Sequence, residues 1–248
     1  MMPRVRRSKA RWPREMRPSR KVPTITLPEV GRTSCVIRRK SVVFPAPLGP
    51  KKTTLLRLIT HEVRPTSGNV IVGTFRDGRI SRGQRALLRR TLGIIYEDFR
   101  LLNGRSVFEN VALAVRIMGR FSNEEVIPRV LYALEEVGLH DKQSALPEEL
   151  SASERQRVAI ARAIVNRPAV ILADEPTGAL EKRGSAEILV LLQRILAEGA
   201  ALVLTTTRPS VAESFPARVL TIEDGHIRSG PTGTPSERPW AGRVELGG

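Results

Sequence analysis

The sequence predicts an α/β fold in which a parallel central sheet is flanked by antiparallel β hairpins and joined to a helical subdomain. Two short apolar runs, 170–173 and 201–205, are rich in branched residues and predict strands buried on both faces. Amphipathic patterns alternate with these runs, which is typical of a parallel sheet covered by helices. Two consecutive amphipathic patterns, at 107–118 and 124–137, predict the helical subdomain.

Composition limits the class of protein. The chain has 248 residues, of which 41% are hydrophobic, enough for one large domain with a subdomain. A single cysteine, Cys35, excludes an intramolecular disulfide. No apolar run approaches the roughly 18 residues that a membrane span requires.

The net charge of +16 is concentrated near the N-terminus. Residues 1–52 hold 15 Lys and Arg against 2 Asp and Glu, whereas the remainder holds 26 against 23. Such a basic segment can bind nucleic acid or anionic lipid. Single-strand binding favours interleaved aromatic residues, and only Trp12 and Phe44 occur here. We therefore expect a solvated, poorly ordered arm over residues 1–40 and rank nucleic-acid binding well below the other functions.

Prolines dominate the same arm. Five of them between residues 3 and 28 interrupt helices and remove strand donors. The pattern predicts little regular structure before about residue 35, with short strands at 35–37 and 42–44.

Residues 46–59, APLGPKKTTLLRLI, predict a loop that opens a helix. In a phosphate-binding loop, helix N-terminal amides and a lysine hold the β- and γ-phosphates, and a hydroxyl holds Mg²⁺. The segment keeps Gly49 but has Ala46 and Lys51 where the pattern requires glycine. Taken alone, it fits a basic turn before a helix better than a nucleotide site.

The next elements follow from periodicity and turn residues. The pattern predicts a hairpin at 68–80, a basic helix at 83–92 and a strand at 93–96 that ends at Glu97. Further along, it predicts a helix at 184–197, a last hairpin through 217–222 and 227, and a Gly/Pro-rich tail at 229–248.

The segment 150–167, LSASERQRVAIARAIVNR, predicts a helix that stops before Pro168. Two pairs have capping-box spacing, Ser151 with Glu154 and Ser153 with Gln156. The sequence does not decide which pair caps the helix.

Two adjacent carboxylates, Asp174 and Glu175, follow the apolar run 170–173 directly. Carboxylates at the end of a buried strand are costly unless a cation compensates them. Mg²⁺ carrying nucleotide phosphates is one such cation, and a solvated acidic turn is the alternative. The dipeptide alone does not decide between them.

The order of these motifs resembles that of ABC-type ATPases, the nucleotide-binding subunits of ATP-binding-cassette systems, with the cell-division and small-exporter members most similar. The stretches that carry the resemblance are KTTLLRLI, LGIIYEDFRLL, SVFENVALAV, LSASERQRVAIARAIVNRPAVILADEPTGAL and VLTIEDGHI. The resemblance covers about residues 42–228 and implies a sheet of P-loop NTPase type. It implies a nucleotide-binding domain at 41–228 with its helical subdomain at about 97–150.

The resemblance implies roles for individual residues. Lys52 matches the lysine on the phosphates, Thr53 and Asp174 match the Mg²⁺ ligands, and Glu175 matches the general base for the attacking water. Ser151 matches the signature serine, which in this family contacts ATP bound in the opposite subunit of a dimer. The candidate residues are, for catalysis, Glu175 and Arg208; for nucleotide binding, Gly49, Lys51, Lys52, Thr53, Thr54, Glu97, Ser151, Ser153 and Glu154; and for metal, Thr53, Asp174 and Glu97.

Several positions depart from the family pattern. Ala152 and Ser153 replace the two glycines of the family's signature. Their β-carbons occupy space that glycines leave free for a close approach to phosphate. Glu97 stands where the family has a glutamine after the third strand. Glu181 stands where the family has an aspartate after the two carboxylates, and Arg208 stands where the family has its switch histidine. Arginine cannot accept a hydrogen bond, although it can stabilise phosphate charge.

The family implies an ATP-binding subunit that binds Mg-ATP and hydrolyses it as a homodimer or heterodimer. It implies a cytoplasmic protein held at the inner face of the plasma membrane by an integral membrane partner, which contacts the Tyr96–Leu102 loop and the following helices. Phe99, Leu101 and Leu102 fit either that contact or local core. The departures support an alternative, a pseudo-ATPase that binds nucleotide and serves as a scaffold.

Residues 1–41 carry no recognisable form of the family's N-terminal antiparallel strands. True divergence and a reading-frame error upstream of the phosphate loop both fit residues 1–51. A frame error would not account for Glu97, Ala152, Ser153 or Arg208, so divergence is favoured for the rest of the chain.

Overall fold

The computed structural model contains two sheets and seven α-helices within the part of the chain that it describes. The described residues are 25–27, 35–37, 42–45, 51–64, 70–72, 75–76, 81–215, 217–223 and 226–229.

The larger sheet has six strands, five of them parallel, with one antiparallel strand at an edge. Its strands are β3 (Val42–Pro45), β6 (Leu92–Ile95), β7 (Val170–Asp174), β8 (Ala201–Thr206), β9 (Arg218–Glu223) and β10 (His226–Ser229). Their spatial order is β10-β9-β3-β8-β7-β6. The parallel central sheet that the sequence predicts is confirmed.

The smaller sheet is antiparallel, with the order β2-β1-β4-β5. Its strands are β1 (Ile25–Leu27), β2 (Cys35–Ile37), β4 (Ile71–Val72) and β5 (Phe75–Arg76). The prediction of little regular structure before residue 35 is wrong for β1. This strand pairs with β2 on one side and β4 on the other, and that non-local pairing is invisible in its three-residue pattern. The boundary at residue 40 stays a prediction.

The helices are α1 (Lys51–Ile59), α2 (Arg82–Thr91), α3 (Val107–Met118), α4 (Asn123–Glu136), α5 (Ala152–Ile164), α6 (Lys182–Ala197) and α7 (Pro209–Glu213). Helices α1 to α6 lie where periodicity predicts them, with ends that differ by a few residues, whereas the short α7 was not predicted. Among the described residues, none of the helices has the length and the apolar composition of a membrane span.

Strands β7 and β8 separate two hydrophobic cores, because successive side chains point to opposite faces of a sheet. Ile171 and Leu204 join the core beneath α3, α4 and α5. Leu172 and Val203 join the core beneath α1 and α2. Burial on both faces, predicted from the continuous apolar runs, is therefore confirmed.

Helix α5 lies very close to β6 at Gly93. A β-carbon at Gly93 would stand 2.6 Å from the Ala163 carbonyl oxygen and 2.8 Å from Pro168 Cγ. Glycine therefore sets how closely the helical layer approaches the sheet.

Candidate functional site

The carboxyl ends of three neighbouring parallel strands bring the candidate residues to one edge of the sheet. Strand β7 ends at Asp174, and β6 and β8 on either side lead to Glu97 and Arg208. Strand β3, next to β8, precedes α1, whose first residue is Lys51. This is the edge at which open α/β sheets bind ligands.

The predicted phosphate loop is only partly within the described residues. Gly49 lies outside them, and the backbone of Lys51, Lys52 and Thr53 forms the first turn of α1. Thr54 follows in the same helix and is exposed. A helix therefore begins at the sheet edge as the sequence predicts, and its amide groups have the orientation that favours anions.

Asp174 lies almost fully buried, with 7% of its surface exposed, at the last position of β7. The Thr205 hydroxyl donates a hydrogen bond to Asp174 Oδ1 over 2.6 Å. The carboxylate also lines a cavity with Leu56 and Thr60 on the α1 side of the sheet. Asp174 is thus oriented by its neighbouring strand and stands beside the helix that follows the predicted phosphate loop.

Glu175 has a backbone conformation that is uncommon for a residue with a side chain. Its φ is +43°, in the left-handed region, which costs about 1–2 kcal/mol outside glycine. The main chain is held by a 3.0 Å bond from its N–H to the Thr205 carbonyl. The carboxylate accepts from Thr206 Oγ1 over 3.1 Å and from the Thr207 N–H. These bonds fix the orientation of a side chain that is only 2% exposed.

Glu97 meets the segment after Glu175 at Gly178. A β-carbon on Gly178 would lie 3.0 Å from Glu97 Oε1 and 3.3 Å from Glu175 Cβ. The Gly178 N–H donates to the Glu175 carbonyl over 2.9 Å. The lack of a side chain at Gly178 therefore allows the Glu97 carboxylate to approach this turn.

Arg208 reaches the same turn from the end of β8. Its Nη2 donates to the Gly178 carbonyl over 3.1 Å, and its Nη1 donates to Ser185 Oγ over 3.3 Å. Its backbone N–H donates to Thr206 Oγ1 over 3.1 Å. The guanidinium thus connects β8 to the turn and to the first turns of α6.

The signature segment forms the N-terminus of α5. Of the two predicted pairs, Ser151 and Glu154 form the capping box. Ser151 Oγ accepts a hydrogen bond from the Glu154 N–H, and the Glu154 carboxylate accepts one from the Ser151 N–H. Lys142 also donates to Glu154. This bond, and that from the Ser151 backbone, lower the pKa of Glu154 to about 2. The network holds α5 to the turn that follows α4.

Ser153 faces α6 instead of forming a cap. Its hydroxyl is buried without a hydrogen-bond partner, and Ser153 Oγ would lie 3.6 Å from a β-carbon on Gly184. The larger residue at this signature position is therefore accommodated against a glycine of α6.

The loop after Glu97 contains both buried and exposed apolar residues. Leu101 packs against the core of the helical layer, whereas Leu102 is 45% exposed. Phe99 and Arg100 have positive φ angles, and the Arg162 guanidinium donates to both of their carbonyl oxygens. Within this loop, Leu101 is core and Leu102 is surface.

A groove between α2, β6, α3 and α5 opens beside this loop. Its apolar wall includes Leu113 and Ile117, which are 39% and 54% exposed. Its charged lining residues are all arginines, namely Arg89, Arg90, Arg100 and Arg162. The surface is therefore both apolar and basic.

The oxygen donors at the sheet edge fit Mg²⁺ bound together with phosphates. In the described part of the chain, no three His, Cys, Asp or Glu side chains are grouped to hold a metal. Mg²⁺ in nucleotide sites commonly takes one or two carboxylates and completes its shell with phosphates and water. The Asp174 carboxylate, positioned by Thr205, supplies that type of ligand.

The sequence did not identify the residues that orient the carboxylates. Thr205, Thr206 and Thr207 hold Asp174 and Glu175, and Ser185 holds Arg208. The run of three threonines at the end of an apolar strand is a sequence feature that indicates such partners, because buried hydroxyl groups require hydrogen-bond partners.

Comparison with known proteins gives consistent matches. Residues 48–178 match the family model described as ABC transporter. The chain is 39% identical over 181 residues to the cell division ATP-binding protein FtsE of Streptococcus pneumoniae, a match that spans 73% of this chain and 78% of the relative. It is 41% identical over 183 residues to FtsE of Mycobacterium tuberculosis, spanning 73% and 78%, and 40% identical over 182 residues to FtsE of Escherichia coli, spanning 73% and 82%.

Among solved structures, the chain is similar to a dimeric ATP-binding cassette in a post-hydrolysis state bound to ADP and Pi. The TM-score is 0.70 at 29% identity, over 84% of this chain and 94% of that one.

Proposed function

The chain belongs to the ABC transporter family, and on that premise we propose that it is an ATP-binding subunit that binds Mg-ATP and hydrolyses it to drive a membrane partner. We propose that the system is cell division or small-exporter transport, and the similarity to cell division ATP-binding proteins supports the first of these. The observation that carries the proposal is the placement of Asp174 and Glu175 at the end of β7, at the same sheet edge as the start of α1.

The proposed chemistry is phosphoryl transfer to water. Lys52 and the amides of the first turn of α1 bind the β- and γ-phosphates, while Thr53, Asp174 and Glu97 are the proposed Mg²⁺ ligands. A Mg²⁺ ion held by these residues would supply positive charge for the phosphate oxygens. Glu175 orients and polarises the attacking water as the general base.

The threonines of β8 orient the two acids in this scheme. Thr205 directs the Asp174 carboxylate, and Thr206 with Thr207 directs that of Glu175. Because effective catalysis requires reacting groups in fixed positions, these bonds support a preorganised site. Arg208 supplies positive charge at the same edge.

We propose that the active form is a dimer that encloses ATP between two subunits. Ser151 and Glu154, at the N-terminus of α5, then complete the site of the opposite subunit. The Ser153 hydroxyl is buried beside α6, so only the Ser153 backbone is available for that role. The similar solved cassette is itself dimeric and bound to ADP and Pi, which supports this assembly.

We propose that the basic, apolar groove and the adjoining Tyr96–Leu102 loop receive the membrane partner. The exposed Leu102, Leu113 and Ile117 match an apolar helix face, and the four lining arginines favour a segment that also carries acidic residues. A partner bound at this surface would hold the protein at the inner face of the plasma membrane.

The test compares ATP binding with ATP turnover in wild-type protein and Glu175→Gln. We expect slow but measurable phosphate release from wild-type protein, loss of that release in Glu175→Gln, and Mg-ATP affinity that changes by less than about threefold, because the substitution keeps the shape of the side chain. Glu124→Gln, at an exposed position on α4, is the matched control. Undiminished turnover in Glu175→Gln would exclude the proposed role of this residue.

A second candidate function is a nucleotide-binding scaffold without turnover. It is favoured by Ser153, whose side chain occupies a glycine position of the signature, and by Arg208, whose guanidinium is bonded to Gly178 and Ser185. Tight Mg-ATP binding with no phosphate release, alone and with the membrane partner, would support this function. Robust hydrolysis would exclude it.

A further inference from the structure

We propose that Arg162 is a positioning residue, which holds Phe99 and Arg100 in the backbone conformation that the Tyr96–Leu102 loop requires. The proposal rests on the proposed function, because this loop contains the proposed Mg²⁺ ligand Glu97 and is the proposed contact for the membrane partner. The bonds that carry it join residues 62 and 63 positions apart in the chain, so no local pattern in the sequence reveals them.

Phe99 and Arg100 have a strained backbone. Their φ angles are +58° and +48°, in the left-handed region that is unfavourable for residues with a β-carbon. Two such residues in succession persist only where surrounding contacts hold them. The Phe99 N–H donates to the Tyr96 carbonyl over 3.3 Å, and the Arg100 N–H donates to the Asp98 carbonyl over 2.6 Å. Because these bonds lie within the loop, a contact from another element must fix the loop against the fold.

Arg162, near the end of α5, makes that contact. Its Nη2 donates to the Phe99 carbonyl over 2.6 Å, and its Nη1 donates to the Arg100 carbonyl. The planar fork of a guanidinium matches two adjacent acceptors, whereas a lysine ammonium is a single point of charge. Burial lowers the pKa of Arg162, and the two carbonyl bonds replace the hydration that burial removes.

A second arginine of α5 reaches the same loop. Arg155 lies two helical turns before Arg162 and therefore on the same face of the helix. Its Cζ stands 5.6 Å from the centre of the Phe99 ring, within the distance of a cation–π interaction. The loop thus contacts α5 through one side chain and two carbonyl groups. Its position is tied to the helix whose N-terminus carries Ser151.

The bond to the Arg100 carbonyl also determines where the Arg100 side chain lies. The Arg100 guanidinium stacks over the Tyr96 ring at 3.8 Å from its centre and pairs with Asp98 over 3.2 Å. Tyr96 and Arg100 line both the cavity that Asp174 lines and the basic, apolar groove. A loop released by Arg162 would therefore change the surroundings of Asp174 and the proposed partner surface together.

The first variant, Arg162→Lys, keeps the positive charge but removes the fork. Hydrogen exchange measured by mass spectrometry should become faster over residues 97–102, because a lysine cannot bond both carbonyls. We expect kcat for ATP to fall about fivefold, with KM changed less than about twofold because the first turn of α1 is unaltered.

A second substitution separates positioning from stability. Glycine adopts positive φ angles without the steric cost of a β-carbon, so Arg100→Gly should restore the loop when the fork is absent. We expect Arg162→Lys with Arg100→Gly to exchange more slowly over residues 97–102 than Arg162→Lys with Arg100→Ala, and to have a kcat at least about threefold higher. Both double variants lack the Arg100 side chain, so only the β-carbon differs between them. A purely structural role of Arg162 would lower the unfolding midpoint without this difference.

Arg194→Lys is the matched control. The Arg194 guanidinium on α6 also donates to a backbone carbonyl, that of Glu136, which is far from the loop in sequence and not part of it. This variant should leave loop exchange and kcat unchanged.

The proposal would be overturned by wild-type exchange in Arg162→Lys, or by equal behaviour of the glycine and alanine double variants. If Arg162→Lys does not fold, the double variants decide, since only the one with glycine should regain the fold. If wild-type protein releases no phosphate, the hydrolysis proposal fails by itself, and hydrogen exchange in the same variants decides the role of Arg162.

Discussion

The Thr206 hydroxyl donates a hydrogen bond to the Glu175 carboxylate over 3.1 Å, and both side chains are buried. The same hydroxyl accepts from the Arg208 N–H over 3.1 Å. One threonine at the end of β8 therefore links the proposed general base to the residue that holds the following turn. Because β7 and β8 are paired along their length, the sheet itself fixes this arrangement.

Thr206→Val should disturb Glu175 more than the small change in volume suggests. The valine keeps the shape but cannot donate, and a buried carboxylate that loses a donor costs about 1–3 kcal/mol. We expect a loss of this size in the free energy of unfolding, measured with urea, and a severalfold lower kcat for ATP. Thr206→Ser retains the hydroxyl and should remain close to wild type. Equal behaviour of the valine and serine variants would show that the hydroxyl has no such role.

Gly93→Ala should destabilise the protein, because the added carbon would lie 2.6 Å from the Ala163 carbonyl oxygen. Relief requires α5 to move away from β6, and overpacking of this type costs about 1–3 kcal/mol. Gly83→Ala is the matched control. It makes the same change in the first turn of α2, where the nearest atom is 3.9 Å away, and should be neutral or stabilising. Chemical denaturation of both variants measures the change in the free energy of unfolding, which should fall for Gly93→Ala and stay equal or rise for Gly83→Ala.

The Lys142–Glu154 pair should contribute to stability in a pH-dependent way. Lys142 is the largest cause of the lowered pKa of Glu154, which is about 2 in the folded protein, below its ordinary value of about 4.3. A lowered folded-state pKa stabilises the protein above the unfolded-state pKa, and this contribution is lost as the pH falls towards 2.

We therefore expect Lys142→Ala to cost about 0.5–1 kcal/mol at pH 7, a figure reduced for the partial exposure of the pair. The cost should shrink steadily between about pH 4 and pH 2. Urea unfolding at several pH values measures this cost in the free energy of unfolding. Lys182→Ala, at an exposed position, is the control. A Lys142→Ala effect that is constant across this range would contradict the prediction.

Asn110→Ala should loosen the segment between β6 and α3. Asn110 is 1% exposed, and its side-chain amide donates to the carbonyls of Leu102, Arg105 and Ser106 and accepts from the Leu102 N–H. Removing the amide leaves these backbone groups without their partner, so we expect a loss of about 2–3 kcal/mol.

Hydrogen exchange measured by mass spectrometry should show faster exchange over residues 101–106, which overlap the end of the Tyr96–Leu102 loop that we propose contacts the membrane partner. Asn123→Ala, at the exposed start of α4, is the control. Unchanged exchange over this loop in Asn110→Ala would show that its order does not depend on Asn110.

Local patterns predicted much of the fold. Strands β7 and β8 were predicted because every side chain in them is apolar until Asp174 and Thr205, and the two cores accept alternate residues from each. Helix α3 was predicted at its observed bounds, Val107–Met118, because its apolar spacing follows a buried face. Strand β1 was missed because three residues between prolines carry little periodic information.

The order of the motifs along the chain is enough to predict the family. The strand that ends in two carboxylates and the helices that cover the sheet follow from residues close together in the chain. The groups that orient those carboxylates, and the acceptors that the Arg208 guanidinium reaches, follow from the folded sheet and not from local sequence. The bond from Thr206 to Glu175 spans 31 residues, and that from Arg208 to Gly178 spans 30. Such contacts form when parallel strands align their ends, and the physical constraint is therefore the register of the sheet rather than any local pattern.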